Sequence, residues 1–120
     1  MRVAVSSHGP SLDDRVDERF GRAEYLLVVD PMTGEVEVVD NRANRDALQG
    51  AGLGAAEAVA SRSAEAVLTG HLGPKAYSAL QVAGIPGYGA AGMTVRDAVA
   101  AFGEGKLEPL GEGEAHAGLG

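Results

Sequence analysis

Three glycine-rich turns stand out in the chain: Gly50, Gly52 and Gly54; Gly70 and Gly73 around His71; and Gly89 and Gly92 just before Thr94. Each runs into a stretch with the pattern of a helix. Glycine at a helix start lets a ligand come close to the backbone, and the free N–H groups there, at the positive end of the helix dipole, attract negative charge. The chemistry implied is retention of an anion, with Gly50, Gly52, Gly73, Gly89, Gly92 and Thr94 as candidate contacts. The spacing Gly50-x-Gly52-x-Gly54 departs from the dinucleotide fingerprint, and no phosphate-loop motif is present, so neither supports a nucleotide.

Two histidines are placed to assist. His8 follows the first strand-like run and His71 the fourth, positions that flank the switch point where ligands of open α/β sheets bind. Together, and with Asp13 or Asp14 from the same loop, they are candidate metal ligands or hydrogen-bond partners of a cluster. Arg22, with Arg19, adds positive charge for an anionic ligand. A plainer account also fits: glycines serving only the turns, histidines exposed on loops, and arginines paired with Asp17, Glu18 and Glu24. No Ser-His-Asp set, His-Glu-x-x-His motif or nucleophile elbow is present.

The elements that would position these residues follow from periodicity and turn chemistry. Val3 to Ser7 is a short buried strand. The charge-dense stretch from Ser11 to Arg22 is expected to be a solvated connection with one helical turn, anchored by Leu12, Val16 and Phe20. Tyr25 to Val29 and Glu35 to Val39 flank Asp30-Pro31-Met32-Thr33-Gly34 as a hairpin, whose second strand alternates Val36 and Val38 with Glu35 and Glu37 like an edge strand. After a polar loop from Asn41 to Gln49 come a helix from Ala51 to Ser61, a strand from Ala66 to Thr69, and a helix from Pro74 to Val82. A strand from Ile85 to Gly89 follows, then a helix opening at Thr94 with an acid three residues on. These elements predict one α/β domain over residues 1–110 and a flexible tail over 111–120. Its sheet is five-stranded and mixed, in the order 3-2-1-4-5, with strand 2 antiparallel.

Composition narrows the partners. The 120 residues carry a net charge of −7, which argues against nucleic acid and anionic membrane. No cysteine is present, so no thiolate of this chain can hold zinc or an iron–sulfur cluster. No segment is apolar enough to span a membrane, and the expected location is the cytoplasm.

The segments Glu18-Arg19-Phe20-Gly21-Arg22-Ala23-Glu24-Tyr25, Asp30 to Val36, Gly50-Ala51-Gly52, Gly70-His71-Leu72-Gly73-Pro74-Lys75-Ala76 and Gly105-Lys106-Leu107, in this order, resemble the dinitrogenase iron-molybdenum cofactor biosynthesis family, of the NifX and NifB carboxyl-terminal type. The resemblance runs from Met1 to about Leu110. It implies a three-layer α/β/α, ribonuclease H-like fold. It also implies a non-enzymatic carrier for iron-molybdenum cofactor or an iron-sulfur precursor, with maturation enzymes as possible partners. A metal-dependent nuclease, the other activity common on such folds, needs an acid on the first strand, and Val3-Ala4-Val5-Ser6-Ser7 has none. The remaining alternative is an interaction module without a metal ligand, as a monomer or as a homodimer paired through the edge strand.

Overall fold

The computed structural model describes residues 1–46 and 50–111. The strands β1 (Val3–Ser7), β2 (Tyr25–Val29), β3 (Val36–Asp40), β4 (Ala66–Thr69) and β5 (Gly87–Gly89) form one sheet in the order β3-β2-β1-β4-β5. β2 is antiparallel to both its neighbours, whereas β1 pairs parallel with β4 and β4 with β5. The order and directions are those expected from the sequence. They bring the carboxyl ends of β1, β3, β4 and β5 to one edge of the sheet.

The helices are α1 (Arg42–Arg45), α2 (Ala51–Ala60), α3 (Pro74–Val82) and α4 (Val95–Gly103). Because successive strand residues face opposite ways, the unbroken aliphatic runs of β1, β2 and β4 feed two cores. On one face Ala4, Leu26, Val28 and Val67 pack under Ala55, Ala56 and Val59 of α2 and Ala76 and Leu80 of α3. On the other, Val3, Val5, Leu27 and Leu68 pack under Val95 and Ala98 of α4. Each fully buried Val or Leu contributes about 1.5–3 kcal/mol of transfer free energy, so a chain poor in aromatics still builds a three-layer sandwich. Small residues also let α2 and α3 approach: a Cβ on Gly52 would lie 2.9 Å from that of Ala76.

Several expectations give way. The stretch from Ser11 to Arg22 exposes most of its charges and is anchored by Val16 and Phe20 as expected, but it forms no helical turn. Val16, Asp17 and Phe20 are buried, and isolated bridges tie Ser7 to Val16, Arg15 to Thr94 and Arg19 to His71. The polar loop after β3 contains α1. β5 begins at Gly87 because the Ile85 N–H bonds the Leu80 carbonyl and closes the end of α3. In β3 the core residue is Val39, not Val38, which is 46% exposed. Of the tail expected at 111–120, all but Gly111 lies outside the described residues, as do 47–49.

The two sheet edges differ. β5 is covered by the segment after α4, through Gly89 N–H to Glu108 O (2.9 Å) and Leu110 N–H to Gly87 O (2.8 Å). β3 is the uncovered edge of the sheet order. At its end Arg42 folds back on Asp40, with Nη2 2.7 Å from Oδ2 and the guanidinium over the Tyr25 ring. Hydrogen bonds from the Arg42 side chain and backbone hold the Asp40 carboxyl down at about 2. The pairing is therefore intact above the ordinary aspartate range and is lost as pH falls through that lowered value. An NMR pH titration should give Asp40 a midpoint of about 2, returning toward the ordinary carboxylate range in Arg42→Gln.

Candidate functional site

A groove of about 400 Å³ opens at the carboxyl edge of the sheet, on the face carrying α2 and α3. It is lined by residues from Arg19 to Arg22, Gly50 to Gly52, and His71 with Gly73 to Ala76. Two helix starts meet here. The ladder of α2 begins with Gly54 N–H to Gly50 O (2.8 Å), which leaves the N–H groups of Ala51, Gly52 and Leu53 outside it. The ladder of α3 begins with Tyr77 N–H to Gly73 O (2.9 Å), and since Pro74 has no N–H, those of Lys75 and Ala76 are left over.

The glycines keep this cradle open. Gly50 precedes α2 with φ +80°, a conformation that L side chains rarely adopt. A Cβ on Gly21 would sit 2.6 Å from Gly52 N, on top of a free donor, whereas one on Gly73 would meet only open space.

Charge reinforces the donors. Lys75 is exposed and has no ion pair among the described residues. Arg22 is tied down, its Nη1 2.6 Å from the Arg45 carbonyl. The His71 backbone carbonyl accepts from Phe20 N–H (3.5 Å), which leaves the half-buried imidazole on the groove wall. Among the described residues no carboxylate lines the groove. In a chain of net charge −7 this is a local concentration of cations and oriented N–H dipoles, suited to holding an anion.

The third glycine-rich turn does not join it. α4 lies on the opposite face, and its first N–H groups are already used: Val95 N–H bonds Asp14 O (2.9 Å), Arg96 N–H bonds Leu12 O (2.8 Å) and Asp97 N–H bonds Thr94 Oγ1 (3.1 Å). Gly89 instead pairs with Glu108, and the Gly92 carbonyl accepts from Arg15 Nη1 (2.8 Å). The expected convergence of three helix starts is thus one of two. Gly89, Gly92 and Thr94 sit at a helix start already capped by the protein's own loop.

The two histidines differ in their surroundings. Among the described residues no three His, Cys, Asp or Glu side chains gather to hold an ion. Asp13 pairs with Arg96 and Asp14 accepts from Ser11 N–H. His8 lies outside the groove lining, with Nδ1 3.4 Å from Oδ2 of Asp17. Asp17, which the sequence offers as a partner of the arginines, is also buried and faces His8, and neither feature is plainly legible in the sequence. Its Oδ1 accepts from the backbone N–H of Arg19 (2.9 Å) and lies 3.4 Å from Arg19 Nε. Hidden among Asp13, Asp14 and Glu18, it looked like one more solvated acid. Its place two residues before the cationic Arg19 and three before the apolar Phe20 was the only available sign.

Comparison with known proteins gives the family. Residues 1–105 match the family described as dinitrogenase iron-molybdenum cofactor. The chain belongs to this family. Among solved structures of similar proteins, the apo form of the orange protein from Desulfovibrio gigas is 47% identical, with a TM-score of 0.87 over 90% of this chain and 91% of that one. A putative NifB protein from Thermotoga is 38% identical, with a TM-score of 0.80 over 91% and 92%. A curated relative from Methanocaldococcus jannaschii is 33% identical over 111 residues, 90% of each chain. The sheet order and α/β layers described above match the fold of these neighbours.

Two substitutions separate the faces. Gly21→Ala forces a Cβ onto the first turn of α2 and should lower stability by about 1–3 kcal/mol in urea denaturation, with amide shifts centred on the groove. Thr94→Ala removes the α4 cap and should cost about 1 kcal/mol, leaving the amides of the groove unmoved.

Proposed function

We propose that this chain is a non-catalytic carrier that receives a compact anionic metallocluster, an iron-sulfur or iron-molybdenum cofactor or its precursor, in the groove between the starts of α2 and α3. One observation carries the reading: in an acidic protein, one open groove combines unused helix N–H groups with Arg19, Arg22, Lys75 and His71, and among the described residues no carboxylate lines it. The family's association with iron-molybdenum cofactor supports it.

The donor set fits such cargo. Sulfide and oxo atoms on the outside of an anionic cluster accept hydrogen bonds, and backbone N–H groups and guanidinium are the donors present. Without cysteine in the chain, attachment to metal falls to imidazole nitrogen, with His71 on the wall and His8 beyond Asp17. Hydrogen bonds to a charged partner contribute about 1.5–3 kcal/mol each, and each exposed helix end adds about 0.3–1 kcal/mol. A handful of such contacts holds an anion reversibly, as delivery to another protein requires. The same set argues against metal-assisted hydrolysis, because no acid among the described residues lines the groove to bind a divalent ion.

A second reading, an interaction module, is favoured by the uncovered β3 edge with Val38 at 46% exposure. Such a surface suits a maturation enzyme or a second copy. Light scattering with and without cargo separates the two, since the carrier reading does not need an oligomer. Among the described residues no helix is long and apolar enough to cross a membrane, and we place the carrier in the cytoplasm.

Tetrathiomolybdate, a compact dianion bearing both molybdenum and sulfide, is a suitable probe under anaerobic conditions. Its binding should shift the amides of Arg19 to Arg22, Gly50 to Gly52 and His71 to Ala76, and weaken as salt screens the charges. Gly73→Asp is the sharpest variant. An aspartate in that extended cap position turns its carboxylate onto the Lys75 and Ala76 N–H groups, so stability should hold or rise by a few tenths of a kcal/mol, while affinity falls at least about tenfold, or ~1.4 kcal/mol. No binding to the wild-type chain, or shifts centred elsewhere, would defeat the carrier reading.

A further inference from the structure

We propose that Asp17 is a positioning residue: it holds the neutral His8 imidazole with its proton on Nδ1, so that Nε2 offers an exposed lone pair to a transition-metal centre at the groove's rim. The metal part rests on the function proposed above, and the tautomer part does not.

The Asp17 side chain is 2% exposed and fixed from several directions. Its backbone N–H bonds Ser6 O (2.9 Å), and its carbonyl lies 2.6 Å from Ser6 Oγ and 3.4 Å from Thr69 Oγ1. Oδ1 is occupied by Arg19. Oδ2 is shut off from solvent and accepts no hydrogen bond among the described residues. A buried acceptor left without a donor costs about 1–3 kcal/mol, more when charged. The donor at hand is His8 Nδ1 at 3.4 Å, on a ring that is 56% exposed. That separation exceeds a hydrogen bond of ~2.7–3.2 Å, but the carboxylate cannot move and the exposed ring can, so rotation of the imidazole closes the gap.

A carboxylate behind one ring nitrogen is the arrangement that orients metal-binding histidines and raises the basicity of the other nitrogen. Imidazole suits borderline transition metals. Through Oδ1 the same carboxylate steadies Arg19 on the groove wall, so one buried group prepares both a cation for the anionic surface of the cargo and a nitrogen for its metal.

Asp17→Asn tests the assignment. The two Arg19 donors keep an oxygen at the Oδ1 position, which forces the amide NH2 into the place of Oδ2, where it donates to Nδ1 and drives the proton to Nε2. Long-range proton–nitrogen NMR on the unliganded protein, at a pH where imidazole is neutral, should therefore show Nδ1–H in the wild type and Nε2–H in the variant. A wild type protonated on Nε2, or an unchanged tautomer in the variant, overturns the proposal. The wild-type spectrum decides alone should the variant not fold.

With cobalt(II) as the probe, a borderline ion whose bound waters an imidazole nitrogen displaces, Asp17→Asn should bind about 10–100-fold more weakly. His8→Ala should lose a similar factor, and the double variant no more than His8→Ala alone, whereas a loss of negative charge acting independently of His8 would add to it. A wild type that binds no cobalt(II), additive losses, or unchanged binding by Asp17→Asn overturns the metal role. A wild type that binds no tetrathiomolybdate in the groove defeats the carrier reading instead, and the tautomer still decides the role of Asp17.

Discussion

The edge of the sheet is organised around the point where the β1–β2 connection crosses it. Residues 12 to 16 lie over the start of α4, and residues 19 to 22 line the groove beside α2 and α3. Between them the chain passes over the ends of β1 and β4 at Asp17, where Ser6 and Thr69, both buried, bond its backbone. Two hydroxyls at the ends of otherwise aliphatic strands thus set how far the connection reaches on either side. An apolar replacement for Ser6 would take the closer donor, at 2.6 Å, from the Asp17 carbonyl inside the protein, and both the cap of α4 and the position of Arg19 would move with it.

This crossing explains why the two faces behave differently. Helix N-termini always leave donors that must be satisfied by the chain, by water or by a ligand. On the α4 face the connection supplies its own carbonyls, from Leu12 and Asp14, and Thr94 adds its hydroxyl. On the other face the connection contributes guanidinium groups and a glycine, and the Gly21 carbonyl is already taken by Asn41 Nδ2 (3.2 Å). The donors of α2 and α3 therefore remain available. The difference between a closed helix start and a receptive one lies in the loop opposite, not in the glycines within the turn.

That distinction marks how far the sequence could be read. Strand order was legible because aliphatic runs, the Pro-Gly hairpin and the helix starts at Pro74 and Thr94 are local signals. The groove was partly legible, through Gly50, Gly52, Gly73, His71 and Arg22. Gly89 and Gly92 carried the same signal, yet their helix is capped by residues some eighty positions earlier, a pairing that no local pattern records. Asp17 was hidden for the converse reason: a run of acids reads as solvated, and its burial depends on Ser6 and Thr69 meeting it from separate strands. The short α1 also escaped notice, since Arg42–Arg45 buries no residue and so has no apolar periodicity to show.

The carrier proposed above has no thiolates, a constraint that the groove's architecture answers. Cysteine ligands would bind iron or molybdenum tightly and release it slowly. Hydrogen bonds and screened charges hold the outside of a cluster with moderate strength and let it go when a better-coordinated acceptor is offered. Such a site must remain open, since a closed cavity would hinder release, and it must repel wrong cargo by charge rather than by shape. The −7 net charge turns general anions away from most of the surface, and the cationic patch at two helix starts admits them at one place. Selectivity for a metal-bearing anion over an ordinary one then needs one further contact that phosphate or sulfate cannot use, and a nitrogen lone pair is such a contact.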